Sequence, residues 1–116
     1  MSQFYIVDLR PEWSRNPYIT FWRPDCAGYA YPLPWAGKYS REEVERRGEY
    51  LTTKGYKGRY FIRFAVLCET VELLAEQPKP GVIDHNTGPV VVNNGKIRSF
   101  LRRHRYVLRG LQAEAA

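Results

Sequence analysis

The sequence predicts an α+β domain built on a mainly antiparallel sheet of four or five strands with two or three helices, in the order βββαβαβα. Three observations lead there. Short runs rich in β-branched and aromatic residues fill the first third and are separated by proline and glycine turns, which favour hairpins over crossovers. Capping and helical-spacing signals begin only at Ser40. The 116 residues, 44% hydrophobic and 26% charged, suffice for one core and not two, so a single domain is expected, with residues 112–116 as its frayed tail.

Gln3 to Leu9 alternates and is stopped by Pro11, the pattern of a first strand. Pro17 to Arg23 reads as a second, with its proline at the tolerated first position and Pro24 closing it. After a turn at Asp25 to Gly28, Tyr29 to Leu33 returns as a third, an edge strand by its prolines. Ser40 and Glu43 form a capping box, in which each side chain satisfies a free backbone N–H of the other residue. They open a surface helix from Arg41 to about Tyr50, whose apolar stripe is only Val44, Gly48 and Leu51.

Lys54 to Gly58 is a glycine-punctuated loop, and Arg59 to Leu67 suits a central strand. Cys68 to Gln77 carries Val71, Leu74 and Ala75 at helical spacing and ends before Pro78. A proline and glycine loop leads to a brief strand at Val90 to Val92. Asn93 or Asn94 then caps a last helix from Gly95 to about Arg109, stopped by Gly110. The helices are expected mainly on one face of the sheet.

The net charge of +6 is localised. Residues 1–94 hold 12 Lys/Arg against 11 Asp/Glu, whereas residues 95–116 hold 6 against Glu114 alone. Such an excess implies an anionic partner: a nucleic acid, a nucleotide or an acidic protein face. Cys26 and Cys68 have no metal-ligand spacing and no sequence reason to meet, so both are expected as free thiols in a reducing compartment. No signal peptide or membrane-spanning run is expected.

In the last helix, Arg98, Arg102, Arg105 and Arg109 recur within about 60° of one another, opposite Ile97, Phe100, Leu101 and Val107. Arginine presents a planar fork of donors that matches phosphate or carboxylate. With Lys96 and Arg103 beside it, the row is either a surface that tracks a polyanion or a solvated face. His104 falls on the apolar side, as a core or boundary histidine. Ten of the seventeen aromatics lie between Phe4 and Tyr39, and both faces of the second strand are apolar or aromatic. Trp22 with Arg23 beside it, Tyr29, Tyr31, Trp35 and Tyr39 are either core or exposed for stacking and partner contacts.

Catalytic constellations are scarce. Asp84 and His85 are adjacent, which seldom lets two residues face each other, and no nucleophile motif, metal spacing or glycine-rich phosphate loop accompanies them. The expectation is a binding protein without catalytic residues, metal or cofactor.

At Pro17 to Tyr39 (PYITFWRPDCAGYAYPLPWAGKY) and Pro80 to Asn94 (PGVIDHNTGPVVVNN), the chain resembles a family of short accessory proteins of tailed bacteriophages and prophages. The resemblance transfers no catalytic or binding residue. What it implies is context: a protein of the host cytoplasm that counters host defence. Such a protein docks on an immune complex of the CRISPR type or sequesters an anionic nucleotide signal, the latter in a pocket expected between copies of the chain. The alternative is a nucleic-acid-binding module for phage transcription or replication.

Overall fold

The computed structural model describes residues 2–55 and 58–109. Its strands are β1 (Gln3–Asp8), β2 (Thr20–Trp22), β3 (Tyr29–Ala30), β4 (Tyr39–Ser40), β5 (Thr53–Lys54), β6 (Phe61–Leu67), β7 (Ala75–Glu76) and β8 (Val90–Val91). The α-helices are α1 (Arg41–Arg47), α2 (Cys68–Glu72) and α3 (Gly95–Arg103). The fold is α+β, with an antiparallel main sheet in the order β3-β2-β1-β6-β5. β4 shares one edge of β1 with β2: Phe4 pairs with Tyr39, and Val7 pairs with Phe21. β7 and β8 form a separate antiparallel pair.

β1 is central because both of its faces are apolar, and five of its six residues are buried. Tyr5 and Val7 join Ile19, Phe21, Phe64, Val71 and Leu101 in one core cluster. Phe4 and Ile6 join Trp22, Tyr39, Val44, Leu51 and Leu108 in the other. The expectation of helices on one face is therefore corrected. α2 and α3 cover one side, while α1 covers the other with Val44 alone. A strand apolar on both sides leaves neither face to water.

α1 starts as its capping residue requires. The Ser40 hydroxyl accepts from the Glu43 N–H at 3.1 Å, while the Glu43 carboxylate turns to Arg47 at 3.2 Å. α3 starts at Asn94, whose side chain accepts from the Ile97 N–H at 2.8 Å.

α1 ends at Arg47 rather than about Tyr50, where Gly48 takes a positive φ of 52° and the chain tightens into a 3-10 turn over Gly48–Tyr50. Two other helix ends differ from the sequence pattern, and strand edges explain both. The segment expected to be helical through Gln77 leaves the helix after Glu72, so that Ala75 and Glu76 pair with Val91 and Val90. The last helix stops at Arg103 rather than Arg109. β5 reaches only Phe61 and Arg63 of β6, which leaves the edge beyond them open. The chain fills it: Arg105 bridges to Val66, and the Tyr106 N–H donates to the Ala65 carbonyl at 2.8 Å. Gly110 and the expected tail lie outside the described residues.

Both cysteines are free thiols, and they pack into different clusters on opposite sides of the sheet. Burial pushes the Cys68 thiol up to about 11. Alkylation of Cys68 near pH 8 is expected to be roughly a hundredfold slower in the native protein than after denaturation, because the thiolate is the nucleophile. Time-resolved mass spectrometry reads this directly, and equal rates in the two states would contradict it. No helix among the described residues is long and apolar enough to cross a membrane.

Candidate ligand-binding surfaces

The arginine row of the sequence is not one surface, because α3 ends before Arg105. Arg98 donates to the Asn93 side-chain oxygen at 2.6 Å, and Arg102 donates through Nε to the Phe61 carbonyl at 3.0 Å. Arg105 turns back to the Arg102 carbonyl at 2.8 Å, with its guanidinium 4.3 Å from the centre of the Phe61 ring. Burial, then the charge of Arg98, pulls the pKa of Arg102 down. Three of the four forks thus hold the chain's own carbonyl or amide oxygens. Arg109 is exposed, as are Lys96 and Arg103 on α3. His104 also departs from expectation. It is exposed as the residue that caps the end of the helix, stacked on Phe100 at 4.1 Å with Nδ1 2.9 Å from the Phe100 carbonyl.

Ending α3 early builds a different basic feature. An open recess of about 460 Å³ lies where the final segment passes the start of α1 and β1. Arg41, His104, Arg105 and Arg109 line it, with Phe4 and Tyr106 supplying aromatic wall. Arg41 has only a 3.5 Å contact to the Ser2 hydroxyl and a ring neighbour in Tyr106 at 6.0 Å. Among the described residues, neither Arg41 nor Arg109 forms an ion pair. Glu45 lies behind this wall. Its carboxylate accepts from the Tyr106 hydroxyl and from the Arg109 backbone N–H at 3.0 Å, so it fixes the wall without touching a guanidinium. Burial, then the bond to Glu45, raises the pKa of Tyr106.

The aromatic block divides. Trp22 and Tyr39 are buried, Tyr31 is half-buried, and Tyr29 and Trp35 are 45% and 43% exposed. Arg23 bonds the Tyr29 carbonyl at 3.3 Å and lies 5.3 Å from the centre of the Trp35 ring.

What joins much of the block is a residue that sequence reasoning missed. Asp8, with a side chain 0% exposed, ends β1 on the α1 side of the sheet. Arg10 grips it with Nε at 3.1 Å and Nη2 at 2.8 Å. Trp22 Nε1 donates to it at 2.9 Å and Arg63 Nε at 3.2 Å. Each arginine also stacks on aromatics. Arg10 lies 3.9 Å from the Trp13 ring and 5.0 Å from Tyr29, and Arg63 lies 4.6 Å from Trp22 and 5.8 Å from Tyr50. Tyr29 and Tyr50 flank Trp22 edge-on at 5.6 and 5.4 Å. The only local signal was a carboxylate ending an apolar strand two residues before an arginine. Arg63 is distant in sequence and becomes legible only through the β1–β6 register, which pairs it with Asp8.

The segments Pro17 to Tyr39 and Pro80 to Asn94 are joined to each other in space. The Gly37 N–H donates to the Trp22 carbonyl at 2.8 Å, Tyr39 bonds the Arg23 carbonyl, and the Leu33 N–H donates to Pro89 at 2.9 Å. These motif residues build the fold. No family model, curated protein or solved structure matches the chain.

Proposed function

We propose that this chain is a binding protein rather than an enzyme, and that its ligand is a phosphorylated molecule of the nucleotide class. The observation that carries this reading is the recess at the start of β1, where Arg41 and Arg109 stand beside Phe4 and Tyr106 without ion-pair partners among the described residues. Guanidinium forks match phosphate oxygens bidentately, and among the described residues no carboxylate lines the recess. The continuous arginine row that could track a duplex backbone is replaced by forks committed to internal acceptors. That favours a discrete ligand over a tracked polyanion. Joined to the resemblance to phage accessory proteins, the reading is of a counter-defence protein that withholds a nucleotide signal from the host.

Calorimetric titration with ATP, with a cyclic dinucleotide and with inorganic tripolyphosphate tests it. Binding of at least one is expected. The double variant Arg41→Gln/Arg109→Gln is expected to weaken it at least tenfold, at about 1.5 kcal/mol or more per charged hydrogen bond. Thermal stability should change little, since both positions are exposed and neither side chain holds an ion pair among the described residues. No binding by any of the three, or unchanged binding in the double variant, would refute the assignment. Tight duplex binding, with a salt slope of about one unit per phosphate contact, would instead identify a nucleic-acid module. Capture of a host protein complex that is unaffected by these substitutions would move the function to another surface.

A further inference from the structure

We propose that a second recess, beside edge strand β3, is a slot for a nucleobase. It is open, about 290 Å³, and bounded by the rings of Trp13, Tyr29 and Tyr31 with Asn16, Thr20 and Ala30. That volume is at the lower end for small-molecule sites and suits one heterocycle. The rings are held in place. Trp13 meets Tyr29 edge-on at 4.9 Å with the Arg10 guanidinium stacked on it, and Tyr31 meets Tyr18 at 5.8 Å.

The loop bearing Trp13 and Asn16 is fixed as well. The Asn93 amide donates to the carbonyls of Trp13, Ser14 and Asn16 at 3.3, 3.2 and 2.8 Å, while its oxygen accepts from Arg98. Among the described residues, no hydrogen bond engages the Asn16 carboxamide, the Thr20 hydroxyl or the Tyr31 hydroxyl. Three rings and three unpaired neutral polar groups, with no charged side chain in the lining, suit a flat, uncharged, hydrogen-bonding ring. A carboxamide offers both donors and an acceptor, the combination that reads a base edge, and bases stack on aromatic side chains whatever their sequence.

The slot deepens the nucleotide reading but rests on different residues. Its Thr20 pairs with Asp8, whereas the phosphate recess begins at Phe4, four residues or about 13 Å away along β1. A mononucleotide does not fill both. The base therefore belongs either to a free nucleotide bound here alone or to one unit of a single strand.

Nuclear magnetic resonance titrations with adenosine, uridine and a short oligothymidylate test this, with tripolyphosphate as the phosphate-only probe. A nucleoside is expected to shift the Trp13 indole and Tyr31 ring signals at about millimolar concentration, independently of salt. Asn16→Ala and Tyr31→Ala should each weaken that effect about tenfold, the scale of losing one stacking or hydrogen-bonding contact. Arg41→Gln/Arg109→Gln should leave it intact, and tripolyphosphate should not displace it. Oligothymidylate binding at least tenfold tighter than nucleoside assigns the slot to a single strand, and equal affinity assigns it to a free nucleotide. The slot is refuted if neither nucleosides nor the oligonucleotide move the Trp13 and Tyr31 signals of the unaltered protein, or if they move the Trp13 signal equally in both slot variants. Failure of tripolyphosphate to bind anywhere would refute only the phosphate recess.

Discussion

Asp8→Ala is expected to destabilise the protein by about 3–5 kcal/mol, the cost of breaking a buried ion pair and leaving its partners uncompensated. The carboxylate is fully buried and accepts from Arg10, Arg63 and Trp22, so its removal leaves the buried Trp22 indole N–H without its acceptor and two largely buried guanidinium groups without their counter-charge. Asp8→Asn keeps the shape, and it isolates the charge. Burial alone would raise the Asp8 carboxyl, but bonds from Arg10 and Trp22 and the charges of Arg10 and Arg63 outweigh it and hold the group below its ordinary 3.8. The unfolded chain therefore binds this proton more readily than the folded one. The contribution is complete above about pH 4 and is lost as pH falls through the lower folded value. Urea denaturation at pH 7 and at steps down to pH 2 should show the wild-type advantage over Asp8→Asn shrinking in acid. An advantage constant across that range would mean that the charge does not contribute.

Gly37→Ala is expected to cost about 1–3 kcal/mol through overpacking. A Cβ at this position would sit 2.7 Å from the Pro24 nitrogen, 2.8 Å from its Cα and 2.8 Å from a Tyr39 ring carbon. Two of these neighbours are backbone and cannot swing away. Tyr39 is buried, its hydroxyl accepts from the Cys26 N–H at 2.9 Å, and burial pushes its pKa up to about 12. Displacing it should loosen the Cys26 turn. Denaturant unfolding should show a lower midpoint, and native-state alkylation of Cys26 should be faster. An unchanged midpoint would mean that the turn has room that the geometry does not show.

The site was less legible than the fold, and particular residues show why. Trp22 and Tyr29 were legible as part of an aromatic block, because composition along the chain reports where aromatics concentrate. Whether each was core or surface depended on what covers the sheet, and that is settled by α1 and by the segment around Leu108. Arg98 and Arg102 were legible as a helical pair. Their commitment to Asn93 and Phe61 was not, since both partners are set by loop and strand placement.

The sequence by itself determined the α+β class, the antiparallel sheet, the capped starts of α1 and α3 and the inner position of β6. These follow from local periodicity, turn residues and side-chain capping, which act within a few residues. Only the tertiary structure decided where α2 and α3 stop, which arginines remain available, and that Asp8 binds the aromatic block to the sheet. An unpaired edge on β6 and an open partner strand in β8 offered backbone hydrogen bonds that outcompeted helix propagation. The same competition took Arg105 and Arg109 off the helix and set Arg109 beside Arg41, forming the recess proposed as the binding site.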